Sequence, residues 1–188
     1  MLTRQLINVP VHLGLEHYPN IYCGVAVFLL YPLYVMDKDI NLCEKIGKSV
    51  LLLVFLTAFN LNIPNFIWHG FHYPNSLPCR QSFIYIFFLL TMCYEALSHI
   101  KRMTSRQLGI AVWISLGLLV LIEQVFAVDE TYDFKAIYLS GAFILVYAGL
   151  MIVYNKTNWK LPVTVFLAFI VCIIAVSYTH LRAHETAA

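Results

Sequence analysis

Charge is what this sequence has least of. Only 12% of its 188 residues are Asp, Glu, Lys or Arg, and 61% are hydrophobic, with a mean hydropathy of +0.76. Soluble domains run to about 25% charged and about 45–50% apolar. One water-facing globule of this length cannot enclose so much apolar surface, which excludes an ordinary soluble domain. A net charge of only +2 gives no electrostatic footing for nucleic acid. The five cysteines, Cys23, Cys43, Cys79, Cys93 and Cys172, show neither CxxC pairing nor zinc spacing. Most lie in apolar runs, where a thiol acts as a small hydrophobe, so no disulfide, metal or cofactor is expected. Period-2 alternation is missing too, which removes strands from the reading.

What remains is a series of apolar runs. A spanning helix needs about 20 mostly apolar residues, and six segments approach this: 21–36, 46–61, 81–98, 107–128, 136–154 and 161–176. The expected fold class is therefore all-α, a polytopic transmembrane bundle of about six helices. Basic residues set the expected direction. Lys38, Lys45 and Lys48 follow the first run, Lys101, Arg102 and Arg106 the third, and Lys156 and Lys160 the fifth. The alternate connections hold only Arg80 and Lys135, and the lead-in only Arg4. Eight basic residues thus fall on one side and three on the other, leaving aside Arg182 in the tail, so the first side is expected to be cytoplasmic.

The two ends of the chain stand apart from this pattern. Residues 1–20 contain Arg4, Pro10, Glu16 and Pro19 and lack the apolar core of a signal peptide. They are expected to form an outer-face lead-in, with further helices missing upstream. Residues 21–175 then form the membrane region. From Val176 onward the apolar pattern breaks, and residues 176–188 read as a translated sequencing adapter. On that reading His180, Arg182, His184 and Glu185 have no functional role, and the chain is an interior piece of a longer protein.

Most of the information sits in the connection over residues 62–80. Pro64, Pro74, Pro78, Gly70 and several asparagines forbid one continuous helix there. Aromatic Trp68, Phe71 and Tyr73 are interleaved with His69, His72, Asn75 and Arg80. Irregular backbone at membrane depth is tolerated beside protein or a watery cavity, and aromatic walls with a few aimed polar groups suit a ligand. Trp68, His69, Gly70, Phe71 and His72, followed by Pro74, Asn75, Leu77, Pro78, Arg80, Ser82 and Phe83, resemble the signature loop of the bacterial YfhO-like membrane protein family. The lead-in from Pro19 to Gly24 is similar as well. Ser76 and Cys79 depart from the pattern, where glycine and an aromatic are expected.

The resemblance implies a multi-pass protein of the bacterial cell membrane, similar to GT-C glycosyltransferases. Such enzymes move a sugar from a polyprenyl-phosphate carrier to an acceptor, here a cell-wall polymer such as teichoic acid. The early acidic loop that usually supplies catalysis in that class has no match here, so no catalytic residue is assigned. The substrate-binding residues are then Trp68, His69, His72, Tyr73, Asn75, Arg80 and Glu123. Arg80 would fork onto the carrier phosphate, His69 and His72 would donate hydrogen bonds, and Trp68 and Tyr73 would stack on sugar. Two rivals stand beside this reading: a transporter or flippase for a lipid-linked sugar, and a non-catalytic membrane scaffold. No second irregular segment in a related half appears, as a transporter would show.

Each residue also has a plainer reading. Arg80 snorkels to headgroups, and Trp68 and Tyr73 belong to an aromatic belt. His69 and His72 are hydrogen-bonded loop residues, and His12, Glu16 and His17 are solvated rather than a cation site. Glu123 reaches interfacial water, although burying a charge in the bilayer costs about 2.5–3.5 kcal/mol or more and so marks function by default. Glu95 is expected to pair with His99 one turn on. Ala136 and Ser140 give helix-packing spacing, and the sequon-like stretch from Asn155 to Thr157 is without meaning on an inner face.

Overall fold

A computed structural model of the chain describes residues 21, 23–68, 70–72, 81–126 and 134–156. All regular structure among them is helical. α1 is Ala26–Met36, α2 Leu42–Asn60, α3 Asn62–Trp68, α4 Ser82–Ser98, α5 Ser105–Phe126 and α6 Phe134–Lys156, with a 3-10 turn at Ile100–Arg102. The expected sixth run at 161–176, the lead-in and the tail lie outside the described residues.

α1 is the axle of the bundle and touches α4, α5 and α6. Val27, Phe28, Leu29, Leu30, Pro32, Leu33 and Tyr34 are all buried, so nearly its whole circumference faces protein. At 11 residues it is about 16 Å long, shorter than the expected run from residue 21. Gly24 takes φ +99, a backbone shape open mainly to glycine, and the helix begins only after it. Ile21 and Val25 are nevertheless in the core.

Pro32 lies in the middle of α1 and has no N–H to return to the carbonyl of Phe28. α5 offers a donor in its place, for the Ser115 hydroxyl lies 2.7 Å from Phe28 O and 2.7 Å from Ala111 O of its own helix, sharing one proton between them. Ser115 is fully buried, one turn from the equally buried Ala111, and these small side chains let the two helices approach closely. Leu108, Ala111, Ser115, Leu119 and Ile122 form the buried stripe of α5 at helical spacing. Ser140, Ile144, Tyr147, Ala148 and Met151 do the same on α6. The opposite faces carry Trp113, Val120 and Leu121 on α5, and Tyr138, Leu145 and Val153 on α6, all exposed. An apolar face turned outward over that length is suited to lipid. α5 and α6 are long and apolar enough to cross a membrane.

α2 starts a turn earlier than expected because Asn41 caps it, its side-chain oxygen accepting from Cys43 N. α5 starts with a reciprocal box: Thr104 Oγ1 accepts from Gln107 N, and Gln107 Oε1 accepts from Thr104 N. The connection expected to be irregular begins with α3. Its Pro64 is third in the helix, within the first turn, where an N–H has no intrahelical partner anyway.

Candidate functional site

Leaving aside the short α3, the helices alternate in direction, so the bundle has two ends of different chemistry. One gathers the end of α1, the start of α2, the end of α4, the start of α5 and the end of α6. The other holds α3, the start of α4 and the end of α5.

At the first end the polar groups cross between helices. Lys48 on α2 lies 2.5 Å from Glu95 on α4 and 2.6 Å from Glu44 one turn back. This corrects the expectation for Glu95, which bonds α2 rather than His99. His99 turns instead to Asp37 at the end of α1, Nδ1 to Oδ2 at 2.7 Å. Arg102 and Asp39 close a third link at 2.8 Å. Lys45 Nζ donates to the Asp37 carbonyl, Gln107 Nε2 to Met36 O at 3.0 Å, and Asn155 Nδ2 to Met103 O at 2.8 Å. Lys101 sits 4.5 Å from the ring centre of Tyr154. Lys45, Lys48, Lys101 and Arg102 therefore converge on one end, together with acidic partners.

Burial grades these links. The Asp37 side chain is only 6% exposed, whereas Arg102 and Asp39 are 71% and 43% exposed. The last pair is screened by water and holds little. Hydrogen bonding to Arg102 still keeps the Asp39 carboxyl below its usual range, and Asp39 raises Arg102 in return. Asp37, Asp39 and His99 bring three ligand atoms within 4.8 Å of one another, a spacing a metal accepts. Each is already engaged, and Arg102 and Lys45 stand beside them, so two cations oppose a third positive charge. The cluster acts as a clasp between α1, α2 and α4. Sequence reading missed it, although Asp37 and Asp39 in one basic loop opposite His99 and Arg102 in the next carried the signal.

At the second end, α3 finishes in a tight cap. Gly70 N donates to Ile67 O at 3.1 Å and Phe71 N to Phe66 O at 3.0 Å, the paired bonds of a Schellman motif. Gly70 has φ +67, the left-handed shape that this cap requires, and Phe66 meets Phe71 edge-on at 5.9 Å. Phe71 is itself at φ 61, which costs a non-glycine residue energy and marks strain at the turn. Trp68 stacks on Phe55 of α2 at 4.9 Å, and Phe59 meets Tyr85 of α4 at 5.6 Å. An aromatic ladder thus ties the turn to the bundle.

Of the expected site residues, Trp68 and His72 flank this cap, and both are exposed. Glu123 is half-buried near the end of α5, at the same end of the bundle, and makes no hydrogen bond or ion pair with a described residue. His69, Tyr73, Asn75 and Arg80 lie outside the described residues.

The family model described as bacterial membrane protein YfhO matches residues 6–187. The chain belongs to this family. The match covers nearly the whole length, including both sides of the α2–α4 connection and the segment from 176 onward that reads as adapter. Membership makes this a bacterial membrane protein, and its exposed apolar helix faces belong against lipid. No curated protein and no solved structure matches the chain. For this YfhO-family chain, the cap of α3 gives a physical reason for the Gly-Phe pair of the signature loop: one residue must be left-handed, and the next must close an aromatic contact.

Proposed function

We propose that this YfhO-family chain is part of a multi-pass membrane glycosyltransferase. It transfers a sugar from a polyprenyl-phosphate carrier to a cell-envelope polymer of the teichoic-acid kind. The charged end faces the cytoplasm and the α3 end faces outward. Trp68, His69, His72, Tyr73, Asn75, Arg80 and Glu123 bind the substrates, with Arg80 on the carrier phosphate. The observation that carries the reading is the separation of the two ends: the exposed Trp68 and His72 stand at the one remote from the clustered basic residues. Family membership and the apolar outer faces support it.

The experiment is sugar transfer by the complete protein in membranes. Arg80→Ala abolishes transfer from a lipid-phosphate sugar while leaving membrane assembly intact. Unchanged turnover would remove Arg80 from the mechanism. The scaffold reading draws on one contact, since Trp68 stacked against Phe55 is occupied structurally on one face. Absence of any transfer by the parent, together with a Trp68→Ala protein that melts at a lower temperature, favours that second reading.

A further inference from the structure

Gln81 directly precedes α4 and is only 7% exposed. Its amide nitrogen is buried and has no hydrogen-bond partner among the described residues. The side chain makes no capping bond to its own helix. Burying an amide unpaired is unfavourable, so one retained in a native protein calls for a partner in use. Two other buried polar atoms lack partners among the described residues, Tyr34 Oη and Glu95 Oε2, and both belong to the charged end near Lys48. Gln81 stands at the opposite end.

Its surroundings define what would satisfy it. The Gln81 carbonyl accepts from Ile84 N at 3.0 Å and from Tyr85 N at 3.4 Å. The earlier N–H groups of Ser82 and Phe83 have no acceptor within the helix, as at any helix start. Side chains on a helix lean toward its N-terminus, which places the Gln81 side chain toward the end of α4 from which those N–H groups emerge. No acidic residue occupies the first turn of this 17-residue helix, so the helix itself sets no negative charge against its positive pole. The Gln81 NH2 group, the free N–H groups and the helix pole are donors or partial positive charges. A cation is repelled and an acyl chain leaves the amide unpaired, whereas phosphate oxygens match all of it.

We propose that the Gln81 amide and the N-terminus of α4 form a seat for a phosphate ester or free phosphate at the α3 end of the bundle. This rests on the proposed function and deepens it, naming a further contact for the phosphate of the carrier. Gln81 becomes a binding residue beside the signature loop.

The test uses the complete protein in nanodiscs, with farnesyl phosphate, farnesol and inorganic phosphate as probes. Binding and thermal unfolding are measured for the parent, Gln81→Met and Gln81→Glu. Gln81→Met keeps the volume and removes the unpaired amide. The ligand-free variant melts at the same temperature as the parent or higher, while farnesyl phosphate affinity falls at least tenfold. Gln81→Glu weakens it further, because a carboxylate repels phosphate. Farnesol does not bind at this seat. Competition by inorganic phosphate as strong as by farnesyl phosphate identifies a free-phosphate site, and preference for the farnesyl ester identifies a lipid-borne one; either supports the seat. Equal phosphate affinity in all three proteins, or a Gln81→Met protein that is destabilised yet binds normally, overturns it. Phosphate binding without any sugar transfer leaves the seat standing and removes the glycosyltransferase reading.

Discussion

The two ends of the bundle contain similar kinds of residue and use them differently. At the charged end, Lys48, Glu95, Asp37, His99, Gln107 and Asn155 each bond a group on another helix or at its end. At the α3 end, Gln81, His72 and Glu123 have no such cross-helix partner among the described residues. Polar groups bonded across helices hold those helices in place. Those that are buried or half-buried and uncommitted remain available. What distinguishes the ends is bonding between helices, which is dense at the charged end and missing for these three side chains at the other.

The largest expected effect lies at the charged end. Lys48→Met leaves Glu44 and Glu95 facing the same space without their shared cation, so unfolding in detergent or nanodiscs becomes easier by about 2–3 kcal/mol, somewhat below the cost of breaking a fully buried pair. Glu95→Gln costs less, because Lys48 keeps Glu44. A Lys48→Met protein as stable as the parent would break the contrast. Next comes Gly70→Ala, which places a Cβ on a left-handed residue and costs about 1 kcal/mol. Nothing lies within 4 Å of the added Cβ, so the loss is conformational rather than steric. Gly70→Asn recovers part of it, and thermal melts of the two variants check the order.

The smallest effect is that of the exposed Asp39–Arg102 link. Arg102 lowers the Asp39 carboxyl in the folded state, so the link's contribution is complete above the unfolded value near 3.8 and disappears as pH falls through the lower folded value. Asp39→Asn therefore differs from the parent equally at pH 7 and pH 5. The difference vanishes only in acid below the ordinary Asp range, as melting curves across pH will show.

Helix positions were legible because an apolar run of membrane length has few other uses. Their ends were less so. Residues 21–24 look as helical as their neighbours by hydropathy, and only the φ of Gly24 separates them. Pro64 reads as a helix breaker, yet its place in a first turn makes it harmless. The Glu95–His99 pairing followed from spacing along one helix, but Lys48 is 47 residues away in sequence and adjacent in space. Spacing rules see one helix at a time, and here full opposite charges on the neighbouring helix prevailed. The signature loop was legible as a special segment, with Trp68 and His72 placed at the α3 turn. Gln81 escaped notice because a glutamine at the start of an apolar run looks like an ordinary boundary residue, and its unsatisfied amide exists only once the fold surrounds it.

The proline in the middle of the axle has a consequence for biogenesis. A ribosome releases that helix long before the serine that completes it, 87 positions downstream of the carbonyl it serves. A nascent chain halted before the serine arrives carries a bare carbonyl with only hydrocarbon for company. The early helix is then a provisional insertion, made permanent by a hydroxyl translated later.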